Sequence, residues 1–195
     1  MAKINPQKIE GKWRAGMALD VHTISSTYLG VDESGHDRFE NKRSELGELL
    51  YRLKYQGDTA VAQDIIDTAS KYLLPYRAKF DLIVPVPPSR ARAVQPVIMV
   101  ANGIGAATGL PVAQCITATR STDQLKDIDD PEKRQELLAG LYAVDATSTT
   151  GRNILLFDDL FRSGSTMNAI TDLLMKDGKA ASVSTLAITR ARSKQ

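Results

Sequence analysis

One stretch of the chain concentrates groups that can do chemistry together. Residues 154–166 read Ile-Leu-Leu-Phe-Asp-Asp-Leu-Phe-Arg-Ser-Gly-Ser-Thr. Four apolar residues predict a strand buried on both faces. Asp158 and Asp159 then stand together at its carboxyl end. Arg162, Ser163, Gly164, Ser165 and Thr166 follow and lead into a helical pattern. A loop that opens a helix offers unpaired backbone N–H groups, which suit a phosphate. Gly164 lets the backbone approach closely, and the hydroxyls of Ser163, Ser165 and Thr166 add donors. Adjacent carboxylates suit the opposite kind of ligand, either sugar hydroxyls or hydrated Mg²⁺. An anion cradle beside a diol or metal site matches a ribose 5-phosphate. The plain alternative is a strand, a solvated turn and a capped helix.

Other nucleotide signatures are missing. No Gly-x-x-x-x-Gly-Lys-Ser/Thr loop exists to make the acids a Walker B pair. Gly103, Gly105 and Gly109 lie in and just after a helical pattern, and Thr108 stands where a dinucleotide loop has its third glycine.

The elements around this segment set its position. From residue 80 onward strand and helix patterns alternate. Strands are expected at 80–86, 112–116, 142–144, 153–157 and 181–188, and helices at 96–108 and 165–176. Pro96 begins the first of these helices and Gly109 stops it. The alternation predicts an α/β fold with a mainly parallel sheet flanked by helices, and ligands in such sheets sit beyond the carboxyl ends of the strands. Residues 117–135 are polar and charged and predict a long loop, of a kind that tends to be functional or mobile in a compact domain. Upstream, helices are expected at 39–56 and 58–74, the second ended by Pro75. Alternation within 13–29 and a turn at 32–35 predict a small hairpin-like cap. The expected division is 1–78 as a strand and helix cap and 79–195 as the α/β core.

Composition narrows the function classes. The 195 residues carry a net charge of +2, with 43% hydrophobic and 25% charged residues. This balance argues against direct nucleic-acid binding. Charges begin at Lys3 and no run approaches a membrane span, so the cytoplasm is the expected compartment and no membrane partner is expected. The single cysteine, Cys115, lies in an apolar stretch and reads as a core thiol. Trp13 reads as a packing anchor. His22 and His36 have no partner pattern and receive no catalytic role.

Residues 154–166 resemble the phosphoribosyl pyrophosphate (PRPP) signature of type I phosphoribosyltransferases. More of the chain resembles the ComF-like family of these proteins. Leu53-Lys54-Tyr55-Gln56-Gly57-Asp58 is similar to that family's Leu-Lys-Tyr-x-Gly-Asp. Ile83-Val84-Pro85-Val86-Pro87 is similar to its Val-Pro-Val-Pro strand, and Arg120, Thr122, Gln124 and Leu125 to its loop motif. The resemblance spans roughly 44–190. It implies a type I phosphoribosyltransferase fold and transfer of a phosphoribosyl group from PRPP to a nitrogen nucleophile, with a nucleobase as the usual acceptor. It also implies Mg²⁺ and a homodimer. Asp158 and Asp159 would meet the ribose hydroxyls, directly or through Mg²⁺, and residues 162–166 the 5-phosphate. Pro87, Pro88, Ser89 and Arg90 would meet pyrophosphate, with Arg90 or Arg92 supplying charge. Arg120 and Gln124 would belong to the lid. Relatives that only sense PRPP or a nucleotide give the alternative reading. Arg162 replaces the family's usual Thr or Asp, and Leu138 stands where an Asn is usual.

Overall fold

The structure is a computed structural model and describes residues 1–88, 94–120, 137–138 and 140–192. Its centre is a sheet of five strands in the order β1-β2-β9-β8-β5. These are β1 (Gln7–Lys8), β2 (Gly16–Val21), β5 (Leu82–Pro85), β8 (Asn153–Phe161) and β9 (Ser182–Arg190). β2, β9, β8 and β5 run parallel, and the edge strand β1 is antiparallel to β2. A parallel bridge from Ile83 to Val112 continues the sheet past β5.

Alternation along β8 divides the core. Leu155 and Phe157 pack on one face with the helices α1 (Glu45–Tyr51), α2 (Ala62–Leu73) and α3 (Pro96–Thr108). Ile154 and Leu156 pack on the other with Trp13 and with Met167, Ile170 and Leu174 of α4 (Ser165–Lys176). Burial on both faces is why β8 reads as an unbroken apolar run. A small antiparallel pair, β6 (Ile116–Ala118) with β7 (Tyr142–Val144), carries the stretch that contains the expected lid. No helix among the described residues is long and apolar enough to cross a membrane.

Local signals act as the sequence suggests. Gly109 ends α3 in the left-handed region at φ 69°. Pro75 stands at the start of a 3₁₀ turn, Leu74–Lys79, that follows α2. The Asp32 carboxylate accepts from the amides of Ser34 and His36 and closes the hairpin turn.

Three expectations change. The helix expected at 39–56 begins later, because residues up to Arg43 are the strand β4 (Asp37–Arg43), paired with β3 (Thr23–Val31). Phe39 and Tyr28 pack ring against ring across that pair, 5.4 Å between centroids. Ser44 then caps α1 by accepting from Gly47 N–H at 3.0 Å. The strand expected at 112–116 is a single bridge at Val112 followed by β6. The alternating stretch before residue 22 does not join the hairpin. It becomes β2, which lies inside the central sheet beside β9, with Ala18 and Leu19 fully buried on its two faces.

Gly47 sets how closely α1 approaches this sheet. A Cβ built there would lie 2.1 Å from the His22 carbonyl oxygen, a backbone atom that cannot swing aside. Gly47→Ala is therefore expected to destabilise the chain by about 1–3 kcal/mol as overpacking. Urea unfolding with an unchanged m-value is the check, and a neutral substitution would contradict the packing described.

Candidate functional site

The carboxyl ends of four parallel strands lie at one edge of the sheet, and the chemical groups collect there. β5 ends at Pro85, so Pro87 and Pro88 lie just beyond it, and Val86 N–H donates to the Phe157 carbonyl at 2.8 Å. Ser89, Arg90 and Arg92 fall outside the described residues, as does Gln124. β2 delivers His22 to the same edge, where its amide donates to the Arg190 carbonyl at 2.7 Å.

β8 is longer than its apolar run. It continues to Phe161, so Asp158 and Asp159 are strand residues rather than loop residues. Successive strand residues point to opposite faces, which gives the two carboxylates different surroundings. Asp159 is only 7% exposed, and its Oδ1 accepts from Lys54 Nζ at 2.9 Å. Asp158 is half-buried, and its Oδ1 accepts from the Asp159 amide at 2.8 Å. Burial, and after it the charge of Asp159, push the Asp158 carboxyl up to about 7. The Asp159 amide and Lys54 act in the opposite direction without cancelling them.

Lys54 belongs to the quoted Leu-Lys-Tyr motif, but sequence reading gave it no role. It is delivered by a π-helical turn, Arg52–Gln56, that continues α1 and ends at Gly57 with φ 67°. π-turns of this kind redirect side chains at functional sites. His22 is a second omission. Its ring is half-buried and Nδ1 lies 3.1 Å from Thr189 Oγ1. Burial lowers its pKa, helped by the nearby charges of Arg43, Lys54 and Arg162, so it stays neutral at physiological pH. The pairing of β2 with β9 that carries it here is non-local and leaves no signature in either segment.

The loop after β8 turns sharply into α4. Gly164 takes φ 78° and, as the N-cap, has no side chain to cap the helix, while Ser163 Oγ accepts from the Ser165 amide at 3.5 Å. Arg162 and Ser163 are exposed, while Ser165 and Thr166 are half-buried. Ser163 Oγ and Ser165 Oγ lie 2.9 Å apart. Below the loop, Trp13 meets Phe161 edge-on at 6.1 Å and donates from Nε1 to the Ile9 carbonyl. A Cβ at Gly164 would lie 3.0 Å from the Phe161 ring. Trp13 is thus a packing anchor, and what it anchors is the phosphate-type loop. The Asn168 side chain accepts from Lys12 N–H, and Lys12 also pairs with Asp172, which ties the N-terminal segment to α4.

Arg120 stands apart from this group, donating to the Leu137 carbonyl at 2.9 Å beyond β6. Cys115 is buried, and burial raises its pKa, which leaves it an unreactive core thiol. Among the described residues no group of three His, Cys, Asp or Glu side chains gathers into a metal cage.

The Asp158 environment has a pH signature. A carboxyl with a raised folded pKa keeps its proton in the native chain between about pH 4 and pH 7, while the unfolded chain loses it. Its contribution to stability therefore falls as pH rises through that window. Asp158→Asn removes the ionisation and is expected to raise Tm by roughly 3 °C near pH 8, with little change near pH 4. Thermal unfolding at the two pH values checks this, and an equal effect at both contradicts it.

No family model matches the chain. The competence protein ComFC of Bacillus subtilis (strain 168) is 28% identical to it over 145 residues, which are 73% of this chain and 59% of ComFC. The chain therefore spans less than two thirds of that relative. Among solved structures, the allosteric regulatory enzyme of purine biosynthesis superposes with a TM-score of 0.52 at 17% identity, covering 81% of this chain and 34% of that one. The glutamine phosphoribosylpyrophosphate amidotransferase of B. subtilis gives a TM-score of 0.51 at 18% identity, covering 81% and 35%. At these identities the structural likeness speaks for the fold alone. The chain therefore has the type I phosphoribosyltransferase fold and is similar in sequence to the ComF-like protein ComFC.

Proposed function

We propose that this chain binds PRPP with Mg²⁺ at the carboxyl edge of its sheet and transfers the phosphoribosyl group to a nitrogen of a small acceptor, releasing pyrophosphate. One observation carries this reading. A single segment delivers two carboxylates, a left-handed glycine and a helix N-terminus in immediate succession. A ribose 5-phosphate needs those groups in that order, diol partners first and anion cradle next.

Each residue then has a task. The N–H groups of the first turn of α4 hold the 5-phosphate with the hydroxyls of Ser163, Ser165 and Thr166, and Arg162 adds a charge-assisted contact. Asp158 and Asp159 accept from the ribose hydroxyls. Lys54 holds Asp159 in place. Pro87, Pro88, Ser89 and Arg90 receive the pyrophosphate, and Arg120 and Gln124 belong to the segment that closes over it. The acid pair also fits Mg²⁺. Asp158 is a half-buried carboxyl forced towards protonation, with no cationic hydrogen-bond partner among the described residues. An added cation relieves that state, and Mg²⁺ is ordinarily held by one or two carboxylates together with substrate oxygens. When bound, it supplies positive charge to the departing pyrophosphate.

In the reaction the bond from the anomeric carbon to the pyrophosphate oxygen breaks, and its electron pair leaves with pyrophosphate. The acceptor nitrogen bonds to the same carbon and releases its proton to water. Acceleration comes chiefly from holding the two reactants in line and from excluding bulk water.

Calorimetry with PRPP and Mg²⁺ is expected to give saturable binding that disappears in the doubly substituted Asp158→Asn/Asp159→Asn chain and without Mg²⁺. Release of pyrophosphate on addition of candidate nucleobases then marks an enzyme. A PRPP sensor on the same residues binds equally well and releases none. No binding by a folded wild-type chain would contradict the proposal.

A further inference from the structure

A cleft lies at the opposite end of the sheet from the acid pair. The parallel strands β2, β9 and β8 begin there, and the end of α2 with the 3₁₀ turn Leu74–Lys79 makes the facing wall. The cleft encloses about 680 Å³, within the range of sites that take small organic ligands.

A small side chain opens it. Leu186 and Ile188 of β9 pack with the helices α1, α2 and α3. Alternation puts Ser184 on that same face, in register beside Leu155 of β8. A hydroxyl therefore stands where a third large apolar residue would have closed the core. Ser184 is half-buried, and its hydroxyl has no hydrogen-bond partner among the described residues.

The lining combines three kinds of group. Met17, Leu155 and Leu186 give it an apolar floor. Tyr72 and Tyr76 stand on the wall with ring centroids 5.8 Å apart. Aromatic faces of this kind stack on another planar ring. Arg14 and Lys79 bring charge to the mouth; both are exposed, and neither pairs with a carboxylate among the described residues. Lys79 Nζ lies 5.3 Å from the Tyr76 ring centroid, so positive charge sits against the same aromatic wall. No Asp or Glu lines the cleft. Asp81, which follows Phe80 of the lining, is engaged by Asn153, whose backbone and side-chain amides donate to it at 2.8 and 3.0 Å.

We propose that this cleft binds a small planar aromatic anion, with its ring against the tyrosines and the apolar floor and its anionic group at Arg14 and Lys79. A neutral ring would leave both cations unanswered. An aliphatic acid would leave the tyrosine faces without a stacking partner. The cleft shares no residue with the carboxyl edge of the sheet, so this ligand and one at Asp158 and Asp159 can be held together.

Fluorescence titration of the full chain with anilinonaphthalene sulfonate, a planar aromatic anion, tests the proposal. One saturable site is expected. Arg14→Glu/Lys79→Glu changes two exposed side chains, and it is expected to weaken binding by about tenfold or more with an unchanged circular dichroism spectrum. Ser184→Leu fills the cleft and is expected to abolish binding. Asp158→Asn/Asp159→Asn is expected to bind as the wild type does. Uncharged phenylnaphthylamine is expected to bind about tenfold more weakly than the sulfonate, and octanoate to displace the sulfonate far less well than naphthoate. The absence of a saturable site overturns the proposal. So does affinity that survives the charge reversal, or a neutral ring or octanoate that performs as well as the aromatic anion.

Discussion

A carboxylate that is almost wholly buried at the end of a buried strand has to be compensated, and much of this molecule is arranged around that requirement. Desolvating Asp159 without a partner would cost several kcal/mol. Lys54 meets it at 2.9 Å, and both side chains are largely removed from water. Lys54 arrives there only because the π-turn after α1 redirects the chain and α1 lies close against the sheet. That approach depends on Gly47 fitting over the His22 carbonyl and on Ser44, which caps α1 and also donates to the Val21 carbonyl at 2.6 Å. β2, its junction with the hairpin and α1 are therefore parts of one support, although they are far from β8 in sequence.

The other half of the site rests on a different support. Where the acids are held by charge, the phosphate-type loop is held by packing. Phe161 closes β8 on the α4 side, Trp13 meets its ring, and Gly164 turns above both. Trp13 comes from the segment between β1 and β2, and that segment is also tied to α4 through Asn168 and Asp172. The N-terminal residues thus brace the acids through α1 and the loop through Trp13. The N-cap position of α4 is Gly164, which has no side chain to cap the helix, and the Ser165 amide meets only the Ser163 hydroxyl at 3.5 Å.

What the sequence discloses and what it hides follow from the range of the interactions. The buried strand of 153–157, the helix of 165–176 and the stop at Gly109 are local patterns, and the structure follows them closely. The segment 154–166 is legible as a candidate site because strand, acids, glycine and helix start are contiguous. Non-local pairing is where sequence reading stops. Nothing in 16–21 says that it lies beside 182–190, so β2 reads as part of a hairpin and His22 as an isolated residue. The leucines of α1 read correctly as a buried face, but residues before Ser44 obey a cross-strand ring contact that no helical period reveals. Lys54 stands in a recognisable motif, yet only its placement opposite Asp159, 105 residues away, gives it a role. The extension of β8 to Phe161 is hidden as well, because two charged residues normally end a buried strand.

We propose that one segment, 154–166, holds a phosphoribosyl group by its acids and its helix start together. A crystal structure of the chain grown with PRPP and Mg²⁺ tests it most directly. The 5-phosphate is expected within hydrogen-bond distance of the amides of 163–166, with the ribose hydroxyls facing Asp158 and Asp159. A ligand bound elsewhere on the chain, or a phosphate at the loop with its ribose turned away from both carboxylates, would contradict it.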